Sequence, residues 1–303
     1  MNRRDGRDSI RGVVLIAQIS DTHISVPGSR NDLQFRTAEH LERAVAHLNA
    51  LNPLPVLVLA TGDLVERGRI DEYERLRKLL DPLAMPVYLI PGNHDDRESL
   101  AKVFEHHRYL QRGGQFIQYT IEDWPVRLVA LDTLIPGESG GRLCAERLRW
   151  LDVQLADAPG RPTIVLMHHP PFTTGIRKMD AMGLDGSEAL AAVIARHPQV
   201  ERIVCGHLHR PIVRRFAGTV ACTAPATAHQ IALDLGETPR LATVMEPSAC
   251  LLHLWLGDTE GLVTHVSVIS DRYPPFGLFD GREWLRDARP PARFHPDEAR
   301  TRP

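Results

Sequence analysis

What most constrains the fold of this chain is a repeated join, in which a short apolar run gives way to a turn that presents polar side chains. The runs "GVVLIAQIS", "PVLVLATG", "PVYLIPG", "VRLVALD", "TIVLMHH" and "RIVCGH" are each short, rich in Leu or β-branched residues, and closed by a turn, which is the pattern of buried strands. Helix-period segments lie between them. Leu41, Ala44, Val45 and Leu48 mark one amphipathic stripe, and Ile70, Tyr73, Leu76 and Leu80 a second. Leu148, Leu151 and Leu155 mark a third, and Ser187 is placed to cap a fourth that carries Leu190, Val193 and Ile194. This alternation of strand and helix predicts an α/β architecture.

The alternation stops near residue 212. "TVACTAPA", "SACLLHLWL" and "LVTHVSVIS" read as strands with no helix between them, the last two joined as a hairpin across "GDTEG", and they predict a second sheet. The chain then divides into a flexible basic N-terminus (1–12), one domain (13–272) whose hairpin (249–270) serves as a cap or a dimer contact, and a tail (273–303) rich in Pro, Arg and Asp. With 303 residues, 43% of them hydrophobic, the chain is long enough to bury a sizeable core. A net charge of -2 gives no basic footprint, which argues against a nucleic-acid polymer or an anionic membrane as partner. No apolar run approaches the roughly 18 residues that a bilayer span needs. The first run passes directly into Asp21 and His23 without a small-residue cleavage site, so it is read as a core strand and not as a secretion signal. Cys144, Cys205, Cys222 and Cys250 are widely spaced and form no CxxC pair, so neither a thiolate zinc site nor a disulfide framework is expected, and a cytoplasmic location fits.

The polar residues fall at strand ends. "ISDTH" places Asp21 and His23 after the first strand, "TGD" places Asp63 after the next, and "PGNHD" places Asn93 and His94 after a third. "LMHHP" adds His168 and His169, and "CGHLH" adds His207 and His209. Carboxyl ends of strands in an open α/β sheet face one crevice, so these pieces are expected to converge. In extended chain, residues i and i+2 point the same way, so Asp21 with His23, and His207 with His209, each aim a pair of ligands at one point. Carboxylate, imidazole and an amide oxygen without thiolate suit a divalent Mn, Fe, Co or Zn ion. There are too many ligands for one tetrahedral ion with an open position, and two ions sharing a carboxylate fit better.

This ordered set resembles the calcineurin-like metallophosphoesterases, and among them the class III cyclic-nucleotide phosphodiesterases and bacterial glycerophosphodiesterases. The resemblance rests on "DTH", "GD", "GNHD", "HHPP" and "GHLH" in that order, with further likeness in "TAHQIAL" and "PSACLLH". It implies a four-layer αββα sandwich of two mixed sheets flanked by helices, with a C-terminal β-hairpin extension. It assigns one metal to Asp21, His23, Asp63 and His209, and the other to Asp63, Asn93, His168 and His207, with Asp63 as the bridge. The implied reaction is hydrolysis of a small phosphodiester, such as cyclic AMP or a glycerophosphodiester, by a hydroxide shared between the metals. Asn93, His94 and His229 would contact substrate, and His94 would protonate the leaving oxygen. A homodimer or dimer-based assembly is also implied by the resemblance.

Other residues keep two readings. His169 competes with His168 for the ligand role, because neighbours on a strand face opposite ways. Ser139 in "PGESGG" is either a substrate contact or part of a turn, Arg67 either binds phosphate or pairs with Glu66 or Asp71, and "PPFTTGIRKMDAMGLDG" is either a lid or a surface loop. His40, His47, His106, His107, His197, His253, His265 and His295 read as surface or satisfied histidines. A phosphomonoesterase, or a non-catalytic scaffold of the same fold, is the alternative function.

Overall fold

Strands buried on both faces need apolar side chains at every position, and the computed structural model places them so. It describes residues 13–111, 114–236, 240–270, 277–278 and 282–283. Two units divide the chain, Met1–Val268 and Ile269–Pro303. The predicted N-terminal segment 1–12 and most of the predicted tail, His295 included, lie outside the described residues.

In the first unit, one sheet has five strands in the order Leu262–Val268, Ala249–Trp255, Val14–Ile19, Leu57–Thr61, Val87–Ile90. The last three run parallel, and Ala249–Trp255 joins antiparallel beside Val14–Ile19. The other sheet has six strands in the order Ile212–Phe216, Thr219–Thr223, Val200–Cys205, Thr163–Leu166, Arg127–Ala130, Tyr119–Ile121, of which the inner four are parallel. Both sheets are mixed, with antiparallel pairing at both edges of the six-stranded sheet and at one edge of the five-stranded sheet. Strand Leu57–Thr61 is buried at every residue, as expected of a parallel strand covered on both faces.

The helix stripes fall as the periodicity predicts. Thr37–Asn49 buries Leu41, Ala44, Val45 and Leu48, and Ile70–Leu80 buries Tyr73, Leu76 and Leu80, although Ile70 is only half-buried. Helices Ala145–Asp157 and Ser187–Ile194 pack Leu148, Leu151, Leu155, Leu190, Val193 and Ile194 against Val129, Val165, Ile203 and Ala221 on one face of the six-stranded sheet. The sheets meet through buried polar contacts on their other faces, where Gln18 Nε2 donates to the Cys205 carbonyl at 2.9 Å. The expected layering of two mixed sheets flanked by helices is observed.

Two expectations need correction. The strands after residue 212 do not build a sheet of their own. Thr219–Thr223 pairs with Val200–Cys205, while the hairpin Ala249–Trp255/Leu262–Val268 completes the first sheet. Strand order is set by which exposed edge a strand can cover, and sequence proximity does not specify it. The C-terminal hairpin thus extends the first sheet at its edge. Ser187 is not the N-cap either: Gly186, at φ 93°, holds that position and Ser187 Oγ donates to the Leu184 carbonyl. The segment 170–186 is more than an open loop, since it contains the helical turn Arg177–Asp180 and the strand Leu184–Asp185, paired with Gly141–Arg142.

Candidate metal centre

The ligand-bearing turns are built by backbone that continues the sheet beyond its strands. Asp21 N–H donates to the Gly62 carbonyl (3.0 Å), His23 N–H to that of Asp63 (2.9 Å) and Ile24 N–H to that of Leu64 (3.2 Å). The extended geometry expected of these residues is not what occurs. Asp21, His23, Asp63, His207 and His209 have φ between 43° and 70°, and among the described residues only Arg36 and Ala217 are further non-glycine cases. The left-handed region is costly for such residues, and concentrating it at five candidate ligands marks a functional site. Asp21 and His23 still converge, whereas His207 and His209, expected to aim at one point, turn to different ligand groups. Gly62, at φ 90°, and Gly92 are required by space as well: a Cβ on either would collide with His168, and one on Gly92 also with Asp63.

Two groups of ligand atoms result. In the first, His23 Nε2 lies 3.2 Å from His209 Nε2 and 3.7 Å from Asp63 Oδ2, and His209 Nε2 lies 3.5 Å from Asp21 Oδ1. In the second, Asn93 Oδ1 is 3.1 Å from both His168 Nε2 and His207 Nδ1, and His168 Nε2 is 3.4 Å from Asp63 Oδ2. Asp63 belongs to both. Ligand atoms about 2.1 Å from a common ion lie roughly 3.0–3.4 Å apart at octahedral to tetrahedral angles, which is the spacing of the closer pairs.

The rear nitrogens of the rings argue for the same arrangement. His23 Nδ1 is 3.0 Å from Glu66 Oε2, His168 Nδ1 is 2.8 Å from the Thr61 carbonyl, His207 Nε2 is 3.0 Å from that of Met182, and His209 Nδ1 is 2.9 Å from that of His229. A carbonyl or carboxylate can only accept, so each rear nitrogen donates its N–H and the other nitrogen turns a lone pair to the centre. Outer partners of this kind fix the tautomer of metal-ligating histidines.

Electrostatics follow from burial and from Asp63. Burial opposes the charge on Asp63, yet His168, His94 and His23 hold its carboxyl well below the usual range. Burial likewise opposes charge on His23, but Glu66, Asp63 and Asp21 outweigh it and raise the ring to about 9. His168 reaches about 9 against burial through Asp63 and Asp21. Burial and the neighbouring His168 push His207 down to about 3, and burial lowers His209. Cations compete with protons for the lone pairs of His23 and His168.

The remaining candidates sort by contact. His169 lies beside His168 and His207 but commits its ring nitrogens to Thr133 Oγ1 (2.8 Å) and the Ser139 carbonyl (3.2 Å), so His168, 3.4 Å from Asp63 Oδ2, is the ring free to face the centre, and Ser139, exposed, contributes its backbone. His94 donates its backbone N–H to Asp63 Oδ1 (2.9 Å), and its Nδ1–H donates to the Glu66 carbonyl (2.9 Å), leaving Nε2 on a ring that is 37% exposed. His229 joins the first group, with its ring centroid 4.8 Å from His209 and 5.4 Å from His23. Arg67 does not form the expected ion pair: Glu66 turns to His23, and Asp71 is held by Arg69 at 2.8 Å.

Several residues escaped sequence reasoning. Asp95 accepts from the backbone N–H groups of Leu64, Val65 and Gly92 and from the Tyr73 hydroxyl, pinning the Asp63 turn to the Asn93 turn. Burial and nearby Asp63 raise its pKa to about 6 against these donors. Its place in "GNHDD", directly after Asn93 and His94, was the available signal. Phe35 stacks on His229 at 4.2 Å, and nothing local in the sequence connects them.

A mixed α/β sandwich with two His/Asp ligand groups sharing one carboxylate defines a dinuclear metallohydrolase class. Residues 14–211 match the family described as "Calcineurin-like phosphoesterase", and the chain belongs to that family. The family uses two divalent metal ions, which the His/Asp groups here are able to hold. The chain is 36% identical over 275 residues to the "Probable glycerophosphodiester phosphodiesterase GpdQ" of Arcobacter nitrofigilis, covering 90% of this chain and 100% of that protein. It is 32% identical over 232 residues to the 3',5'-cyclic adenosine monophosphate phosphodiesterase CpdA of Pseudomonas aeruginosa, covering 77% and 83%. Among solved structures, a dimetal phosphatase from Danio rerio aligns with a TM-score of 0.58 at 16% identity, over 85% of this chain and 99% of its own. Purple acid phosphatase PPD1 from yellow lupin aligns with a TM-score of 0.60 at 15% identity, over 86% and 52%. At these identities the two structures speak for the fold alone. Among the described residues no helix is long and apolar enough to cross a membrane.

Proposed function

We propose that this chain is a metal-dependent phosphodiesterase that hydrolyses small phosphodiesters, 3',5'-cyclic nucleotides or glycerophosphodiesters, as its relatives' names say of them. The observation that carries the reading is the pair of ligand groups joined at Asp63, every imidazole turned inward by an outer acceptor. Asp21, His23, Asp63 and His209 would hold one divalent ion, and Asp63, Asn93, His168 and His207 the other. Their oxygen and imidazole donors, without sulfur, suit Mn, Fe, Co or Zn. When bound, two such ions supply the positive charge that attracts a phosphodiester anion and acidifies water.

The chain's own residues do the rest. Asp63 is held ionised by His168, His94 and His23 and is placed by the His94 N–H. His94 Nδ1–H is bonded to the Glu66 carbonyl, so Nε2 is the atom that gives a proton to the leaving oxygen or contacts the phosphate. His229, with its ring against His23 and its face covered by Phe35, supports a substrate contact at the rim of the first group, and the half-buried Asn93 supports one at the second. Four unpaired thiols support a reducing, cytoplasmic setting. A homodimer is supported by exposed Val263, Val266 and Val268 on the edge strand Leu262–Val268.

The test is turnover of bis(p-nitrophenyl) phosphate, cyclic AMP, glycerophosphocholine and a phosphomonoester by metal-defined protein. Diester hydrolysis that exceeds monoester hydrolysis is expected. Two bound metals with no diester turnover would favour the scaffold alternative, and faster monoester turnover the phosphomonoesterase.

A further inference from the structure

Gln18 and His253 are polar residues at 0% exposure in the middle of two sheet strands, where an apolar pair would cost less. Their hydrogen-bonding capacity is fully used, and the direction of each bond is fixed by what its neighbour can do. Gln18 Oε1 can only accept, so His253 Nε2–H donates to it (3.0 Å). That leaves His253 Nδ1 as an acceptor, which takes the Thr264 hydroxyl (2.9 Å). Gln18 Nε2 donates one hydrogen to Thr61 Oγ1 (2.9 Å) and the other to the Cys205 carbonyl (2.9 Å). Thr61 Oγ1 donates to Ser20 Oγ (2.8 Å), and Ser20 donates to the Thr61 carbonyl (3.2 Å). That carbonyl is the acceptor that orients His168 Nδ1–H.

The bonds therefore form one chain whose donors run from the outer strand of the C-terminal hairpin to the Thr61 carbonyl, the acceptor that the Ser20 hydroxyl shares with the Nδ1–H of a candidate metal ligand, His168. Its side branch holds Cys205, two residues before His207, which belongs to the same ligand group as His168. Bonds aligned head to tail polarise one another. The rear acceptors of the first ligand group are different ones, Glu66 and the His229 carbonyl.

We propose that Gln18 and His253 are positioning residues that carry the order of the C-terminal hairpin to the His168, Asn93 and His207 group and set its affinity for a divalent cation. The proposal rests on the phosphodiesterase reading for the identity of that group. It gives the hairpin a role at the metal centre although no hairpin residue reaches it.

Calorimetric titration of Mn²⁺ into metal-free protein, with thermal melts to establish folding, tests the proposal on wild type, Gln18→Met and Thr264→Val. Gln18→Met keeps the volume and deletes the relay. Thr264→Val removes one hydroxyl from a half-buried edge position and does not threaten the fold. The expected result is two Mn²⁺ sites in wild type, with the weaker site of Gln18→Met loosened about tenfold and that of Thr264→Val about threefold, while the other site stays within about twofold. Equal loosening of both sites would reduce the network to general stability and overturn the proposal, as would affinities unchanged in both variants. If wild type took up no second Mn²⁺, the functional reading would fall on its own. The relay would then be judged by the His168 Nδ1 proton resonance in metal-free protein, which Gln18→Met is expected to shift and which, if unmoved, overturns it.

Discussion

Asp95→Asn tests the claim that the centre is assembled by one buried carboxylate between two turns. Asp95 Oδ2 accepts from Leu64 N–H (3.1 Å) and Gly92 N–H (2.8 Å), and Oδ1 from Val65 N–H (3.3 Å) and the Tyr73 hydroxyl (2.8 Å). An amide in its place keeps one oxygen; turned with its NH₂ toward Tyr73, whose hydroxyl can accept from it and donate instead to the Asp96 carbonyl, it still confronts the Val65 N–H. Leaving a buried donor unpaired costs about 1–3 kcal/mol, so the substitution is expected to cost about 2 kcal/mol. For a chain of this size that corresponds to a melting temperature lower by about 4–8 °C. The turns bearing Asp63 and Asn93 lose their common anchor, and a displacement of about 1 Å is worth about 100-fold in turnover. Tyr73→Phe, which deletes one of the four donors, is expected to cost about 1 kcal/mol and to preserve most activity. Thermal melts and hydrolysis of bis(p-nitrophenyl) phosphate in excess Mn²⁺ provide the measurements. Asp95→Asn with a melting temperature within about 2 °C of wild type and turnover within about twofold would refute the reasoning.

Asp63→Ala removes the only carboxylate shared by both ligand groups, so metal analysis after dialysis is expected to find less than one ion per chain and diester turnover at least about 10⁴-fold lower; retention of both ions would contradict the bridging role. His94→Ala is expected to cut turnover about 10²–10³-fold with metal content unchanged, and equal loss of metal would place His94 among the structural supports instead. His23 and His168, raised to about 9, carry protons at neutral pH that cations must displace. Overall Mn²⁺ affinity is therefore expected to climb as pH rises toward 9, by as much as about 100-fold per unit while both protons are being released. Titrations between about pH 6.5 and 8.5 measure it, and a flat profile would show that the rings bind metal without giving up protons.

What the sequence determined by itself is the inventory and its spacing. Apolar runs of strand length, helix stripes such as Leu41 to Leu48, and polar residues at strand ends are local properties, written in consecutive residues and readable by periodicity. They suffice for the α/β class and for the candidate ligands from Asp21 to His209, because a strand end is a place defined within one segment. The tertiary structure alone decided who meets whom. The hairpin Ala249–Trp255/Leu262–Val268 lies against Val14–Ile19, more than 230 residues away, because that edge was open to pairing. His168 rather than His169 faces Asp63 because the Thr61 carbonyl captures one ring and Thr133 the other. The left-handed turns at Asp21, His23, Asp63, His207 and His209, the clamp of Asp95 and the stacking of Phe35 on His229 have the same origin: each depends on a partner from another segment, and the energies that select such partners exist only once the sheets have packed.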